Sequence, residues 1–462
     1  MKNSSKTILS YILIFILSFC CITPVVAVED DSSETETEVT TEKKIRKEGE
    51  APTFNDGETA ILVDAGNGNV LFEKESNKRM YPASTTKVMT ALLAFEAIER
   101  GEISLTSEIE ITSEMIDGLD PTGSTMSLKV GEIVTLENLL KGMLIPSGND
   151  AACSIAAAVG KSIAAFVDMM NAKAQELGCV DTHFANPDGL HDDNHYTTAA
   201  DMAKIARAAM QHYDFRNIVD CVHIKIPPTN MSPERYYINT NGLLSTMRYP
   251  NFAYKGATGI KTGFTQKAGN CLVSSVKRDG MEFIGVVYGG KDVANSHNGT
   301  INMFNYGFEK FTSITPVSSG DMLYDIKVKQ SSGSDKLALS AKSSATVIVP
   351  KGTNPDDIKL EPKTPDFITA PVNAGDIIGT MSVTLNGQEL SSFDLIASTS
   401  VKRSFFWPVM AIGDFLWGNK VTRTIICVIA MAAVIFIIVF VFAICNNIKK
   451  AKRHRQNRRH RK

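Results

Sequence analysis

Hydrophobic and polar positions change their rhythm several times along this chain of 462 residues, and each change marks a boundary. The first apolar run, Ile8–Cys21, follows Lys2 and Lys6 and precedes the small-residue stretch Val25-Val26-Ala27. Residues 1–27 therefore read as a secretory signal peptide. Residues 28–54 are acidic, Thr-rich and nearly free of large apolar side chains, and read as a disordered linker. Short β runs then appear at Ala60–Asp64 and Asn69–Glu73 around Gly66-Asn67-Gly68, which predicts a hairpin. The rhythm changes to three- and four-residue spacing over Thr85–Arg100, Leu136–Met143, Asp150–Val159, Ile163–Leu177 and Thr198–Gln211, which predicts helices. Strand patterning returns at Gly259–Thr265, Cys271–Lys277 and Glu282–Tyr288, with Arg278-Asp279-Gly280 as a turn, and a helix is expected near Ile301–Phe311. Strands at both ends of a helical centre predict one α/β domain of the α+β kind over residues 55–312, an antiparallel sheet carrying packed helices.

Residues 314–398 alternate in short runs, Leu323–Val328, Ala345–Val349 and Met381–Leu385 before Asn386-Gly387. That predicts a small all-β domain, and its lack of any His, Cys or acidic cluster suggests a stalk or docking module. Residues 404–418 gather Phe405, Phe406, Trp407, Phe415 and Trp417, the composition of a segment lying in a membrane interface. Residues 424–445 hold twenty-two positions without a charge, enough for one transmembrane helix. The tail, 446–462, carries nine Lys or Arg in its last fourteen positions, which predicts a cytoplasmic tail at the cell membrane with everything before residue 424 outside. A basic block can also bind nucleic acid, but the topology accounts for it without such a partner. Lys and Arg number 48 against 50 Asp and Glu; without the nine tail cations the balance is 39 against 50. An acidic exported part argues against nucleic acid or an anionic polymer as its ligand. Of eight cysteines, only Cys153, Cys179, Cys221 and Cys271 fall in the exported domain, with no C-x-x-C pair, and buried free thiols are expected.

Chemistry concentrates at three short motifs. Ser84 and Lys87 stand three apart where Pro82 opens a helix, so the amine lies on the serine's face, one turn deeper. A helix N-terminus disfavours the ammonium form, and Lys261 nearby would push the Lys87 pKa down further, giving the neutral base an unactivated serine needs. Alone, S-x-x-K means little, since Ser274–Lys277 repeats it in a β run. Ser147-Gly148-Asn149 follows Pro146 in a turn between helices. Its hydroxyl can relay a proton to a leaving amine, and its amide can accept from a lysine and donate to a substrate carbonyl. S-x-N is equally weak alone, and Ser296-His297-Asn298 also fits it. Lys261-Thr262-Gly263 lies in a β run, where glycine admits a ligand against the strand edge and Lys261, Thr262 and Thr265 offer a cation and hydroxyls to a substrate carboxylate. The three in this order describe an acyl-transfer site that requires no cofactor. His191 and His195 are four apart, but Asp188-Gly189 before them argues for a loop rather than a helical metal pair.

Beyond these motifs, Y-P-A-S-T-T-K-V-M-T-A-L-L, L-I-P-S-G-N-D-A-A, N-P-D-G-L-H-D-D-N-H-Y-T-T-A-A-D-M and G-I-K-T-G-F-T-Q-K-A-G-N-C-L-V-S-S run along the chain. Over about residues 55–310 it resembles the low-molecular-mass penicillin-binding proteins, specifically the serine-type D-alanyl-D-alanine carboxypeptidases. The resemblance implies a penicillin-binding and serine β-lactamase-like transpeptidase fold. It also implies removal of the terminal D-alanine from peptidoglycan pentapeptide stems through an acyl-enzyme on Ser84, with β-lactams acylating the same serine. Lys87 would be the base, Ser147 the relay beside Asn149, and the backbone amides of Ser84 and Phe264 the oxyanion hole. Many members carry an arginine before the last helix, yet Val293–Asn305 holds no Arg or Lys, which leaves the carboxylate to Lys261 alone. A β-lactamase would need a glutamate holding a water, and no E-x-x-L-N-type loop lies between Ser147 and Lys261. A D,D-endopeptidase is the nearer variant, and a non-turnover β-lactam sensor or scaffold the rival from another class.

Overall fold

The computed structural model describes residues 49–409, 411 and 420–459. The signal segment, the linker up to residue 48, Phe415 and Trp417, and residues 460–462 lie outside the described residues.

The N-terminal hairpin forms as expected from β1 (Thr59–Asp64) and β2 (Val70–Lys74). A 3-10 turn, Ala83–Thr86, leads into α1 (Lys87–Glu99). Next come β3 (Glu108–Glu110), α2 (Ser113–Ile116), β4 (Ile133–Thr135), α3 (Leu136–Leu144), α4 (Asn149–Gly160), α5 (Ile163–Glu176), α6 (Ala199–Ala209) and α7 (Tyr213–Val219). A second small hairpin, β5 (His223–Ile226) and β6 (Arg235–Ile238), precedes the long strands β7 (Ala257–Thr265), β8 (Gly269–Arg278) and β9 (Met281–Gly290), and α8 (Val293–Lys310) ends the domain. The sheet is antiparallel throughout in the order β2-β1-β9-β8-β7, so strands from both chain ends join as anticipated and β7 is an edge.

Side chains of β1 and β9 alternate between two cores. Ile61, Val63, Ile284, Val286 and Tyr288 face the helical cluster around α1, while Ala60, Leu62, Phe283 and Val287 pack with Met303, Phe304 and Phe308 of α8. Helix α1 is apolar on every side, and Val88 through Phe95 are all buried. It is the axis of the larger core and carries the S-x-x-K motif at its start.

Helix α8 begins eight residues earlier than the apolar spacing suggests. Asp292 caps it, accepting from Asn295 N at 2.7 Å, and its first turns hold Asn295, Ser296, His297 and Asn298, which show no apolar period. The C-terminal β module contains β10 (Phe311–Val317), β11 (Met322–Lys329), β12 (Lys336–Ala341), β13 (Ala345–Pro350), β14 (Ile358–Lys363), β15 (Phe367–Thr369), β16 (Ile377–Leu385) and β17 (Gln388–Ala397). Strands β10 and β13 pair, and the other six form a sheet in the order β14-β16-β17-β12-β11-β15 over a core of Ile326, Leu339, Val347, Val383 and Leu395. Ile348 also reaches the cluster of Phe283 and Phe308. Helix α9 (Lys420–Arg459) contains a stretch, Val421–Lys452, long and apolar enough to cross a membrane.

The loop between α5 and α6 folds down onto the Ala83–Thr86 turn. Asn186 Oδ1 accepts from Gly189 N at 2.7 Å, and His195 Nε2 meets Thr86 Oγ1 at 2.7 Å. At Gly189, φ is +86°, and a Cβ would stand 2.0 Å from the Ala83 carbonyl oxygen. Gly178 shares a positive φ of +70° but faces open space. Gly178→Ala should therefore cost only the left-handed conformation, about 1–2 kcal/mol, or a few degrees in Tm. Gly189→Ala should lower Tm clearly further, because backbone must also move; equal losses in thermal unfolding would mean the close approach carries no weight.

Candidate active site

One cleft of about 1130 Å³ brings together residues from all three motifs, with Ser84, Ser147, Asn149, Thr262, Gly263, Phe264 and Thr265 among those lining it. Two left-handed residues other than glycine shape it: Ala83 (φ +48°), immediately before Ser84, and Ser147 (φ +74°). Such conformations cost free energy and persist only where the surroundings impose them. At Ser147 the surroundings are Gly148 N bonded to Gly142 O at 2.9 Å and Asn149 N bonded to Ser124 O at 2.8 Å. The Ser147 hydroxyl is buried and has no hydrogen-bond partner in the protein.

Lys87 is completely buried. Its Nζ lies 2.9 Å from Ser84 Oγ, 2.7 Å from Asn149 Oδ1 and 2.6 Å from the main-chain oxygen of Asp188. The amide and carbonyl oxygens can only accept, whereas the serine hydroxyl can also donate. A neutral amine has two N–H groups for the first two and a lone pair for the third, so the geometry suits an amine that accepts the Ser84 proton. Burial lowers the Lys87 pKa to about 8, opposed chiefly by the negative charge of Asp188 and more weakly by that of Asp150.

The lowering has a different origin from the expected one. Desolvation is the largest cause, and the repulsion between the two lysines falls instead on Lys261, whose pKa is held well below the usual lysine value by burial, then by Lys87 and Arg248. The group that loses its proton first no longer repels the other, which explains the asymmetry.

Lys261, 1 % exposed, lies on β7, and its Nζ donates to Thr262 O at 3.0 Å. Thr262 Oγ1 donates to Thr240 Oγ1 at 2.7 Å, and Thr265 Oγ1 accepts from Ala268 N at 3.0 Å. A Cβ on Gly263 would come within 3.0 Å of Ser84 N, so glycine there lets the sheet edge approach the serine's own amide. The second S-x-x-K is elsewhere: Ser274 bonds Gly259 O within the sheet, and Lys277 pairs with Glu282 at the surface.

Three residues of the cleft escaped the motif-based reading. Asp188 lines it beside Lys87. Arg248 and Tyr249 enter from the segment between β6 and β7, which His297 ties to α8 by accepting from Gly242 N at 3.2 Å and donating from Nδ1 to Val293 O at 2.9 Å. Lys267 and Lys291 also line the cleft. Arg248 is near enough to act electrostatically on Lys261, so a second cation adjoins the lysine expected to bind the carboxylate. No motif marks Arg248; only the fold brings it across. His195 is a clamp: Nδ1 accepts from Ala185 N at 3.0 Å, leaving Nε2–H for Thr86, and burial lowers its pKa to about 3. Cys153, Cys179 and Cys271 are buried free thiols, and Cys221 is half-buried and free.

Residues 46–292 match the D-alanyl-D-alanine carboxypeptidase family, and residues 311–403 match the C-terminal domain of penicillin-binding protein 5. The D-alanyl-D-alanine carboxypeptidase DacF of Bacillus subtilis is 32% identical over 353 residues, covering 76% of this chain and 87% of that protein. The crystal structure of penicillin-binding protein 5 from Haemophilus influenzae superposes with a TM-score of 0.62 at 26% identity, over 77% of this chain and all of the other. A peptidoglycan synthesis regulatory factor of Streptococcus pneumoniae reaches 0.64 at 26% identity, over 74% and 98%. By the match of both its domains, the chain belongs to the D-alanyl-D-alanine carboxypeptidase family of penicillin-binding proteins.

Proposed function

We propose that this protein is a serine-type D-alanyl-D-alanine carboxypeptidase that trims the terminal D-alanine from peptidoglycan pentapeptide stems. The observation that carries the reading is the buried Lys87 amine, with two partners that only accept and Ser84 as the third. Neutral Lys87 takes the Ser84 proton as Oγ attacks the carbonyl of the penultimate D-alanine. The amides of Ser84 and Phe264 receive the oxyanion. Ser147, whose hydroxyl has no protein partner, hands the proton to the departing amine, and Asn149 holds Lys87 in line. The peptide lies along the β7 edge, with its carboxylate toward Lys261, Thr262 and Thr265 and the Arg248 guanidinium at the rim. β-Lactams, which present a carboxylate beside a strained amide, acylate the same serine. Helix α9 anchors the protein in the cell membrane as a single span, and its basic continuation favours a cytoplasmic tail with the cleft outside.

The reading is tested by D-alanine release from diacetyl-Lys-D-Ala-D-Ala by the full-length protein in detergent. Release should occur and vanish in Ser84→Ala; a wild-type protein that takes up penicillin but releases no D-alanine would instead be a sensor or a peptidase specific for cross-links.

Acylation should also follow the Lys87 proton. With its pKa about 8, roughly a tenth of the amine is neutral at pH 7. The rate constant for penicillin acylation should climb about tenfold per pH unit up to about 8 and level off above. A flat profile between pH 6 and 8 would exclude Lys87 as the base.

Arg248 is exposed, so its share should be small. Arg248→Ala should raise KM about fivefold with kcat nearly unchanged, the scale of an exposed charge pair. Lys261→Ala, deleting a buried cation, should cost kcat/KM on the order of a hundredfold or more.

A further inference from the structure

Six carboxylate side chains are buried among the described residues: Glu58, Asp64, Glu132, Asp150, Asp188 and Asp201. Five are hydrogen-bonded to the protein. Asp150, for instance, accepts from Thr125 Oγ1, Met126 N and Leu128 N, and Asp201 accepts from Asp181 N and Thr182 Oγ1. Glu58, Asp64 and Glu132 accept from Asn55 N, Gly66 N and Lys129 N respectively. Asp188 is the exception. It is 3 % exposed, and its Oδ2 is buried with no partner. A buried carboxylate oxygen left unbonded carries a large desolvation cost, and water is the partner a polar cleft can supply.

The location narrows the role. Asp188 lines the cleft with Ser84, Ser147 and Asn149. Its main-chain oxygen is 2.6 Å from Lys87 Nζ, and Gly189 after it packs on the Ala83–Ser84 backbone. Charge neutralisation of Lys87 alone does not account for it, because Nζ bonds the main-chain oxygen and not the carboxylate. Asp188 also comes from the stretch between Ser147 and Lys261, where the sequence carries no glutamate loop for holding a water.

We propose that Asp188 is a further catalytic residue: its carboxylate binds the water that hydrolyses the acyl-enzyme and accepts a proton from it. The proposal rests on the Ser84 acyl-enzyme reading. The water oxygen bonds to the ester carbonyl carbon as its proton passes to Asp188. The bond from that carbon to Ser84 Oγ then breaks, Oγ recovers a proton from Lys87, and Lys87 regains it from Asp188 through cleft water. The product acid ionises to solvent, and Asp188 returns to carboxylate.

The experiment follows Ser84 labelling by fluorescent penicillin, and loss of the label, in wild type, Asp188→Asn and Asp188→Ala. At pH 9, where Lys87 is mostly neutral with or without the Asp188 charge, Asp188→Asn should be labelled within about threefold of the wild-type rate but hold the label on the order of a hundredfold longer, the usual scale of general-base assistance. Formate added to Asp188→Ala should shorten that lifetime again. The proposal is overturned if the Asn variant loses label at the wild-type rate, or if labelling and release slow together, as expected of a group acting only through Lys87. Failure of both variants to label also counts against it, since the role begins after acylation. A wild-type protein that takes no label would sink the acyl-enzyme reading itself.

Discussion

An amine taken wholly out of water must be given partners, and the catalytic half of this protein is arranged around one such amine. Lys87 could not be buried at the head of the most apolar helix in the domain unless Asn149 and the Asp188 carbonyl met its two N–H groups. Holding those partners together demands the left-handed backbones at Ala83 and Ser147 and the close approach at Gly189. The serine hydroxyl occupies the remaining direction, so activation of Ser84 follows from how Lys87 is satisfied.

The two buried lysines divide their work by surroundings. Lys87 is beside acceptors and the negative charge of Asp188, which offsets part of the cost of burial. Lys261 has a single carbonyl within bonding distance and two positive neighbours, Lys87 and Arg248. It is therefore the site with the most to gain from an arriving carboxylate, which would supply the missing counter-charge. Substrate binding and the protonation of Lys261 are coupled for that reason.

Much of this was legible along the chain because its signals are local. Apolar spacing announced the hairpin, α1 and α3 to α6, and the three motifs meet at one cleft lined by Ser84, Ser147, Asn149 and Thr262, with Lys87 buried against Ser84 and Asn149. What spacing could not reveal depends on contacts between distant segments. The first turns of α8 are polar because they face the cleft and the His297 cluster, so they show no apolar period and were read as non-helical. Arg248 lies in irregular chain with no pattern around it and reaches Lys261 only through the packing of Tyr249 and Phe252 on His297. The weight given to Lys261 in lowering the Lys87 pKa failed for a related reason, since burial depth is a property of the assembled core.

A serine with a neutral lysine beside it explains how an ester forms and leaves open how long it lasts. Carboxypeptidase, endopeptidase and sensor share the first half of the reaction, and every residue of the three motifs serves that half. The second half needs a water held against the ester on a side the departing amine has vacated. Asn149 and the Asp188 carbonyl are committed to Lys87, and the Ser147 hydroxyl is assigned to the leaving group in the proposed mechanism. The Asp188 carboxylate is the buried acceptor in this neighbourhood that the protein leaves uncommitted. On the proposed reading, turnover depends on the loop that covers the nucleophile, while the motifs beneath it account for acylation.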